Sequence, residues 1–277
     1  MDVGTIGVLI PGVVNHDYLG EVYRGIADTA KQHRHSLLTS IQNPTRHDDL
    51  AHFLGPGGCD GVIMVIPDNY VHLVDLCRQY QRECVLIDYP LETGVDDLPT
   101  IECTSREGIL SAMQHVLALG HRRIGFISGD LSHRIARERY QGYREALEAA
   151  GIAEDPALLA SGPWSPTDFL TAARQLLQVE PLPTAIVASS DFMAYAVYQA
   201  ARERGLEIGR QLSVTGFDDI RLASTISPLL TTVRQPMYQM GQTAVELLTR
   251  RLNGQPIEAL HVRLPTELIV RQSTGRA

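Results

Sequence analysis

The sequence predicts an α/β fold of two successive halves, each a doubly wound parallel sheet covered by helices on both faces. Three observations predict it. Short apolar runs alternate with segments of helical period, the alternation begins afresh after Gly120-His121, and two later strands end in polar residues.

In order, Thr5 to Ile10 reads as a strand, Pro11 to Asp17 as a loop, and Tyr18 to His35 as a helix with Leu19, Val22, Ile26 and Ala30 on one face. Ser36 to Ile41 is the next strand. His47 to Leu54 is a helix closed by Gly55-Pro56-Gly57-Gly58, and Gly61 to Ile66 is a strand. Tyr70 to Tyr80 is helical, Cys84 to Asp88 extended, and Ser105 to Leu119 a helix that stops at Gly120. The second half repeats the rhythm: strand Ile124 to Ser128, helix Arg134 to Ala150, strand Leu158 to Ser161, helix Thr167 to Val179. Strand Thr184 to Ala188 then runs into Ser189, Ser190 and Asp191, good starters for the helix Phe192 to Arg204. Strand Leu212 to Thr215 ends in Gly216-Phe217-Asp218-Asp219. Helix Met237 to Asn253 and two strands near His261 and Ile269 close the chain. The alternation implies right-handed crossovers, and in open parallel sheets ligands bind at the carboxyl ends of the strands.

Composition narrows the function. The 277 residues suffice for two lobes, and 44% hydrophobic with 20% charged residues is ordinary for a globular protein. No apolar run approaches the roughly 20 residues of a membrane span, and no secretory pattern opens the chain, so a cytoplasmic location without membrane contact is expected. A formal net charge of −8 argues against nucleic-acid binding by these residues themselves. Cys59, Cys77, Cys84 and Cys103 lack metal-type spacing and read as buried reduced thiols. Neither a phosphate-cradling loop nor a nucleophile elbow is present, and the adjacent Asp218 and Asp219 cannot face each other as an acid/base pair, so catalysis is not expected.

Several segments carry a resemblance. TIGVLIPGVVNHDYLGEVYRGIADTA, GCDGVIMVIP, LGHRRIGFISGD, RERYQGYREAL, PTAIVASSDFMAYAVYQAARERGL, LSVTGFDD, SPLLTTVRQP, MGQTAVELLTRRLNG and PTELIVRQST resemble, in order, the effector-binding core of lactose-repressor (LacI/GalR) family regulators. The resemblance implies a periplasmic-binding-protein-like fold of two discontinuous lobes joined by three crossovers. The expected lobes are 1–121 with 235–264, and 122–234 with 265–277.

The resemblance also nominates ligand contacts, each with a plainer reading beside it. Tyr18 either staples the first helix or lines the site. Trp164, the only tryptophan, stands in a Pro-rich loop and offers a stacking face. Arg139 falls on the family's ligand arginine, while Arg137 better suits a surface cation paired with Glu138 or another neighbour. An arginine fork facing Asp218 can bind adjacent hydroxyls by donating and accepting. Ser190 stands where the family carries an amide, Asp191 is explained as a helix cap, and Gln235 either contacts ligand or satisfies backbone at a crossing. Cys103-Thr104 replaces a family carboxylate and amide. Ser132-His133-Arg134-Ile135 adds positive charge, which points to a ligand with some negative charge.

The expected function is the effector-binding core of a LacI-type regulator that needs no cofactor. A sugar, sugar phosphate or related molecule binds between lobes and changes the operator affinity of a homodimer, through a DNA-binding head that would precede Thr5. Its absence reads as a truncation or a headless variant. A solute-binding receptor for a sugar transporter is the competing expectation.

Overall fold

A computed structural model of the chain describes residues 4–11, 16–42, 50–66, 70–88, 97–163 and 165–277. The chain divides into two compact units, Met1–Cys103 with Pro236–Leu264 and Thr104–Gln235 with Pro265–Ala277. It therefore passes from one unit to the other at 103/104, 235/236 and 264/265.

The first unit holds β1 (Thr5–Pro11), α1 (His16–Gln32), β2 (Ser36–Gln42), α2 (Ala51–Leu54), β3 (Gly61–Val65), α3 (Tyr70–Gln79), β4 (Glu83–Ile87) and β5 (Thr100–Cys103). After the second passage come α8 (Met237–Leu252) and β11 (His261–Leu264), and the strands form a parallel sheet in the order β11-β5-β4-β3-β1-β2. Val22, Ile26 and Ala30 are fully buried, as the 3.6-residue period of α1 requires. That helix ends earlier than its pattern suggests. Arg34 turns into the left-handed region at φ +61°, and His35 N–H donates back to the Ala30 carbonyl over 2.8 Å, a closure usually given to glycine. All four cysteines are free and buried.

The second unit holds α4 (Ser105–Ala118), β6 (Ile124–Ser128), α5 (Arg134–Ala149), β7 (Leu159–Ser161), α6 (Pro166–Leu176), β8 (Ala185–Ala188), α7 (Asp191–Glu203), β9 (Ser213–Asp218), β10 (Thr231–Arg234) and β12 (Glu267–Ile269). Its sheet runs β12-β10-β9-β8-β6-β7, parallel except for β12, which pairs antiparallel with β10. Ile127, Ile186, Val214, Met193 and Val197 form one core layer between the sheet and α6 and α7. Phe126 and Tyr143 stack at 4.8 Å on the other face, where the Tyr143 hydroxyl donates to the Ile124 carbonyl over 2.9 Å.

The expected lobe boundary at 121/122 falls one helix later than the first passage. Gly108 shows why α4 travels with the second unit: a β-carbon there would stand 2.8 Å from Phe217 and 2.9 Å from both Thr266 and Val233. The last passage is tied to the first within this unit, since Thr266 N–H donates to Thr104 Oγ1 over 2.9 Å. Among the described residues no helix is long and apolar enough to cross a membrane.

Candidate functional site

In the second sheet the chain runs from β6 outward to β7, then returns to β8 on the other side of β6. The carboxyl ends of β6 and β8 therefore flank the point where strand order reverses, the place where loops diverge and leave a crevice. Ser128 ends β6. At the end of β8, Ser189 N–H donates to the Ile127 carbonyl over 2.9 Å.

Ser190 is the N-cap of α7, extended at φ −157° and ψ 163°, with its hydroxyl oxygen accepting from Met193 N–H over 3.2 Å. This corrects the sequence reading that gave the cap to Asp191. Asp191 is wholly buried, and its carboxylate joins three elements instead. Oδ2 accepts from Ile220 N–H over 2.9 Å, and Oδ1 accepts from the Thr232 hydroxyl over 2.5 Å. Burial pushes its pKa well above the usual carboxylate range, and the Asp218 charge adds to the shift against the two hydrogen bonds. Both residues are committed to the protein's own frame.

Arg139 projects from the buried face of α5, which also carries Arg134, Gly142, Tyr143, Ala146 and Leu147 at helical spacing. Its Nη1 donates to the Ser189 carbonyl over 2.6 Å and its Nε to Ser105 Oγ over 3.3 Å, so the guanidinium spans from α5 to the end of β8 and the start of α4. The guanidinium carbon lies 3.8 Å from the centre of the Phe217 ring, a cation–π contact that offsets part of the cost of burying the charge. Only 7% of Arg139 is exposed. Glu138 pairs with Arg134 one turn away, while Arg137 Nη1 donates to the carbonyls of Leu131 and Ser132.

Asp218 is the last residue of β9, three residues beyond the strand end that the sequence suggests. Its φ is +122° and that of Asp219 is +57°, a backbone region that costs L-residues roughly 1–3 kcal/mol each and persists only where surroundings enforce it. The Asp218 carboxylate accepts from Gln235 Nε2 over 2.6 Å and lies 4.0 Å from Arg139 Nη1. At that separation the charges attract without a direct hydrogen bond. Arg139, Asp218 and Gln235 are each more than nine-tenths buried, so donor fork, carboxylate and amide form one desolvated polar cluster.

Three participants carried no sequence signal. Ser105 and Phe217 reach Arg139 only through tertiary packing. Ser128 Oγ is buried and has no hydrogen-bond partner among the described residues, a polar group left at the crevice side of β6. Tyr18 belongs to the first unit and lies inside the first turn of α1. It is 4% exposed, and its hydroxyl donates to Asp88 Oδ2, at the carboxyl end of β4. Trp164 lies outside the described residues. Among the described residues no group of three or more His, Cys, Asp or Glu could hold a metal ion.

A family model described as a periplasmic binding protein-like domain matches residues 113–274. The chain is similar to catabolite control protein A of Priestia megaterium, 30% identical over 273 residues, covering 98% of this chain and 81% of that protein. Among solved structures it is similar to a complex of the transcriptional regulator CelR with cellobiose, at TM-score 0.89 and 27% identity, covering 97% of this chain and 84% of the other. It is also similar to the lac repressor dimer bound to operator and the anti-inducer ONPF, at TM-score 0.84 and 26% identity, covering 99% and 95%.

Proposed function

Because the chain belongs to the LacI family of transcriptional regulators, whose effector-binding core it forms, we propose that it senses an uncharged, polyhydroxylated small molecule through Arg139, Asp218 and Gln235. The observation that carries this reading is the buried juxtaposition of Arg139 and Asp218 at 4.0 Å beside the β6/β8 switch point. Adjacent hydroxyl groups can donate to the carboxylate and accept from the guanidinium, and a desolvated site penalises a ligand that leaves either group unmatched.

Charge selects the class. The sequence expectation of an anionic ligand rested on His133 and Arg134; the Arg134 side chain is buried against Glu138, which offsets its charge within α5, and His133 is exposed to solvent. What remains is one guanidinium opposite one carboxylate, a nearly neutral pair suited to a neutral carbohydrate or polyol. The CelR–cellobiose complex supports the same class.

In this reading the effector favours one of two states of a cytoplasmic homodimer by no more than its difference in affinity for them. Operator DNA, bound elsewhere in the full regulator, must change effector affinity by the reciprocal factor. The lac repressor relative, a dimer on operator, supports both partners. The solute-receptor reading is not favoured, since these relatives are transcriptional regulators.

A thermal-shift screen against neutral sugars, polyols, sugar phosphates and nucleobases tests the proposal, because a ligand bound only by the native state raises its melting temperature. We expect hits among neutral carbohydrates, lost in Arg139→Ala and Asp218→Asn. Binding confined to phosphates, or unchanged in both variants, would refute it.

A further inference from the structure

We propose that Asp219 is the positioning residue of this site: held between two arginines, it locks the end of β9 so that the neighbouring Asp218 carboxylate meets Gln235. The functional part of this inference rests on the reading of Asp218 as an effector contact. The positional part rests on geometry alone.

The Asp219 side chain is 7% exposed and each of its oxygens takes one guanidinium. Arg234 Nε donates to Oδ2 over 2.7 Å, and Arg271 Nη2 donates to Oδ1 over 2.6 Å. Arg271 is itself anchored, with Nη1 donating to the Leu230 carbonyl over 2.8 Å and its backbone N–H to Thr231 Oγ1 over 2.9 Å. Arg234 Nη1 lies 3.4 Å from Glu267 Oε2, directly across the β10/β12 register. The network therefore reaches from β9 through β10 to β12.

Successive left-handed aspartates do not hold themselves in that conformation, because each β-carbon crowds its own backbone. Here adjacent residues at the end of β9 grip adjacent residues at the end of β10: Asp218 takes Gln235, and Asp219 takes Arg234. The opposite directions of the two carboxylates follow from that pairing. One faces the polar cluster and the other faces the ion-pair network. The chain leaves the unit immediately after Gln235 and re-enters it at Pro265, two residues before Glu267. The same network thus fixes the ligand-facing carboxylate and both strands next to those passages.

The plainer possibility is an ion-pair cluster that only steadies the sheet edge. The two differ in what happens to Gln235 when the charge at 219 is removed. In the full chain without any effector, the Gln235 side-chain amide can be followed by 1H–15N NMR, its resonances assigned by their loss in Gln235→Glu. In Asp219→Asn we expect the amide pair to move toward free-glutamine positions. Its solvent exchange should quicken at least about tenfold, the scale of one charge-assisted hydrogen bond. Arg174→Gln, which breaks an exposed ion pair to Glu203 elsewhere in the unit, should leave the amide unmoved.

A lower melting temperature for Asp219→Asn with the Gln235 resonances in place would overturn the proposal. If that variant does not fold, Arg234→Gln, at a half-exposed side chain, carries the test, and an unmoved amide there overturns it equally. Because no effector enters the measurement, failure here leaves the carbohydrate reading standing, and failure of the carbohydrate screen leaves this one standing.

Discussion

Gly216 and Asp191 compete for one space: a β-carbon on Gly216 would stand 2.3 Å from Asp191 Oδ1 and 2.8 Å from Leu230 Cδ2. The carboxylate cannot retreat without giving up its bonds from Ile220 and Thr232. Gly216→Ala should therefore cost at least about 2 kcal/mol by overpacking an interior strand. Gly20→Ala, where a β-carbon meets nothing within 4 Å on α1, should instead gain about 0.5–1 kcal/mol from helix propensity. Urea unfolding of the pair checks both signs.

Asp191 gives a pH dependence of definite sign. Its pKa is raised on folding by burial, so the native state holds the proton more tightly than the unfolded chain. The stability it contributes is full below the unfolded value of about 4 and is lost as pH rises toward the folded one. Asp191→Asn, which does not titrate, should gain on the parent between about pH 4 and pH 8. Equal differences at both pH values in denaturant titrations would contradict this.

His121 acts in the opposite sense. Burial lowers its pKa, and its ring joins Thr184 Oγ1 at 2.9 Å and the Gly275 carbonyl at 3.0 Å. The unfolded chain binds the proton more readily, so this contribution is present above about pH 6.5 and is lost as pH falls through the folded value. His121→Gln should flatten the acid side of the stability profile between about pH 5 and pH 7. Melting curves across that range provide the measurement.

Arg139→Lys keeps the charge and discards the fork. A lysine offers a point charge and cannot span Ser105 and Ser189 together with a ligand. We expect affinity for a carbohydrate hit to drop by about tenfold or more, equivalent to about 1.4 kcal/mol. Titration calorimetry reads the drop directly. Asp218→Asn should lose a comparable amount while the fold melts as a single unit.

Tyr18→Phe removes a hydroxyl that donates to the buried Asp88 carboxylate. A loss of roughly 1–3 kcal/mol is expected from weakening the solvation of a buried charge. Chemical denaturation gives that value without any ligand.

Much of the fold was legible because burial and periodicity agree. The α1 stripe, the apolar β6 and β8, and the α4 helix ending before Gly120 each satisfy a local rule that tertiary structure left in force. The four-residue strands β5 and β10 were not legible. Thr100–Cys103 and Thr231–Arg234 carry little apolar alternation, and only pairing on both sides makes them strands. The extension of β9 through Phe217 to Asp218 was hidden for a related reason, since a glycine inside an interior strand is permitted only because the Asp191 carboxylate fills its place.

The candidate site divides the same way. Arg139 and Asp218 were nominated by resemblance, and the structure brings them to 4.0 Å. Ser190 and Asp191 were nominated too, yet their oxygens serve the helix cap and the 216–232 core, a distinction that depends on where neighbouring backbone N–H groups point. Asp219 reads in sequence as a repeat of Asp218. Only the left-handed turn sends the two carboxylates to different tasks.

The three passages of the chain between units have a consequence for biosynthesis. Neither unit is a continuous stretch of gene product, so neither can be completed while the ribosome is still adding the residues that finish it. The first lacks α8 and β11 until Leu264 is made. The second lacks β12, Arg271 and Ser273, whose hydroxyl joins Val214 and Thr231, until those residues are made in turn. Assembly of each therefore waits on residues made long after its first strand, and a nonsense mutation at Glu267 would deprive the second unit of its closing seam.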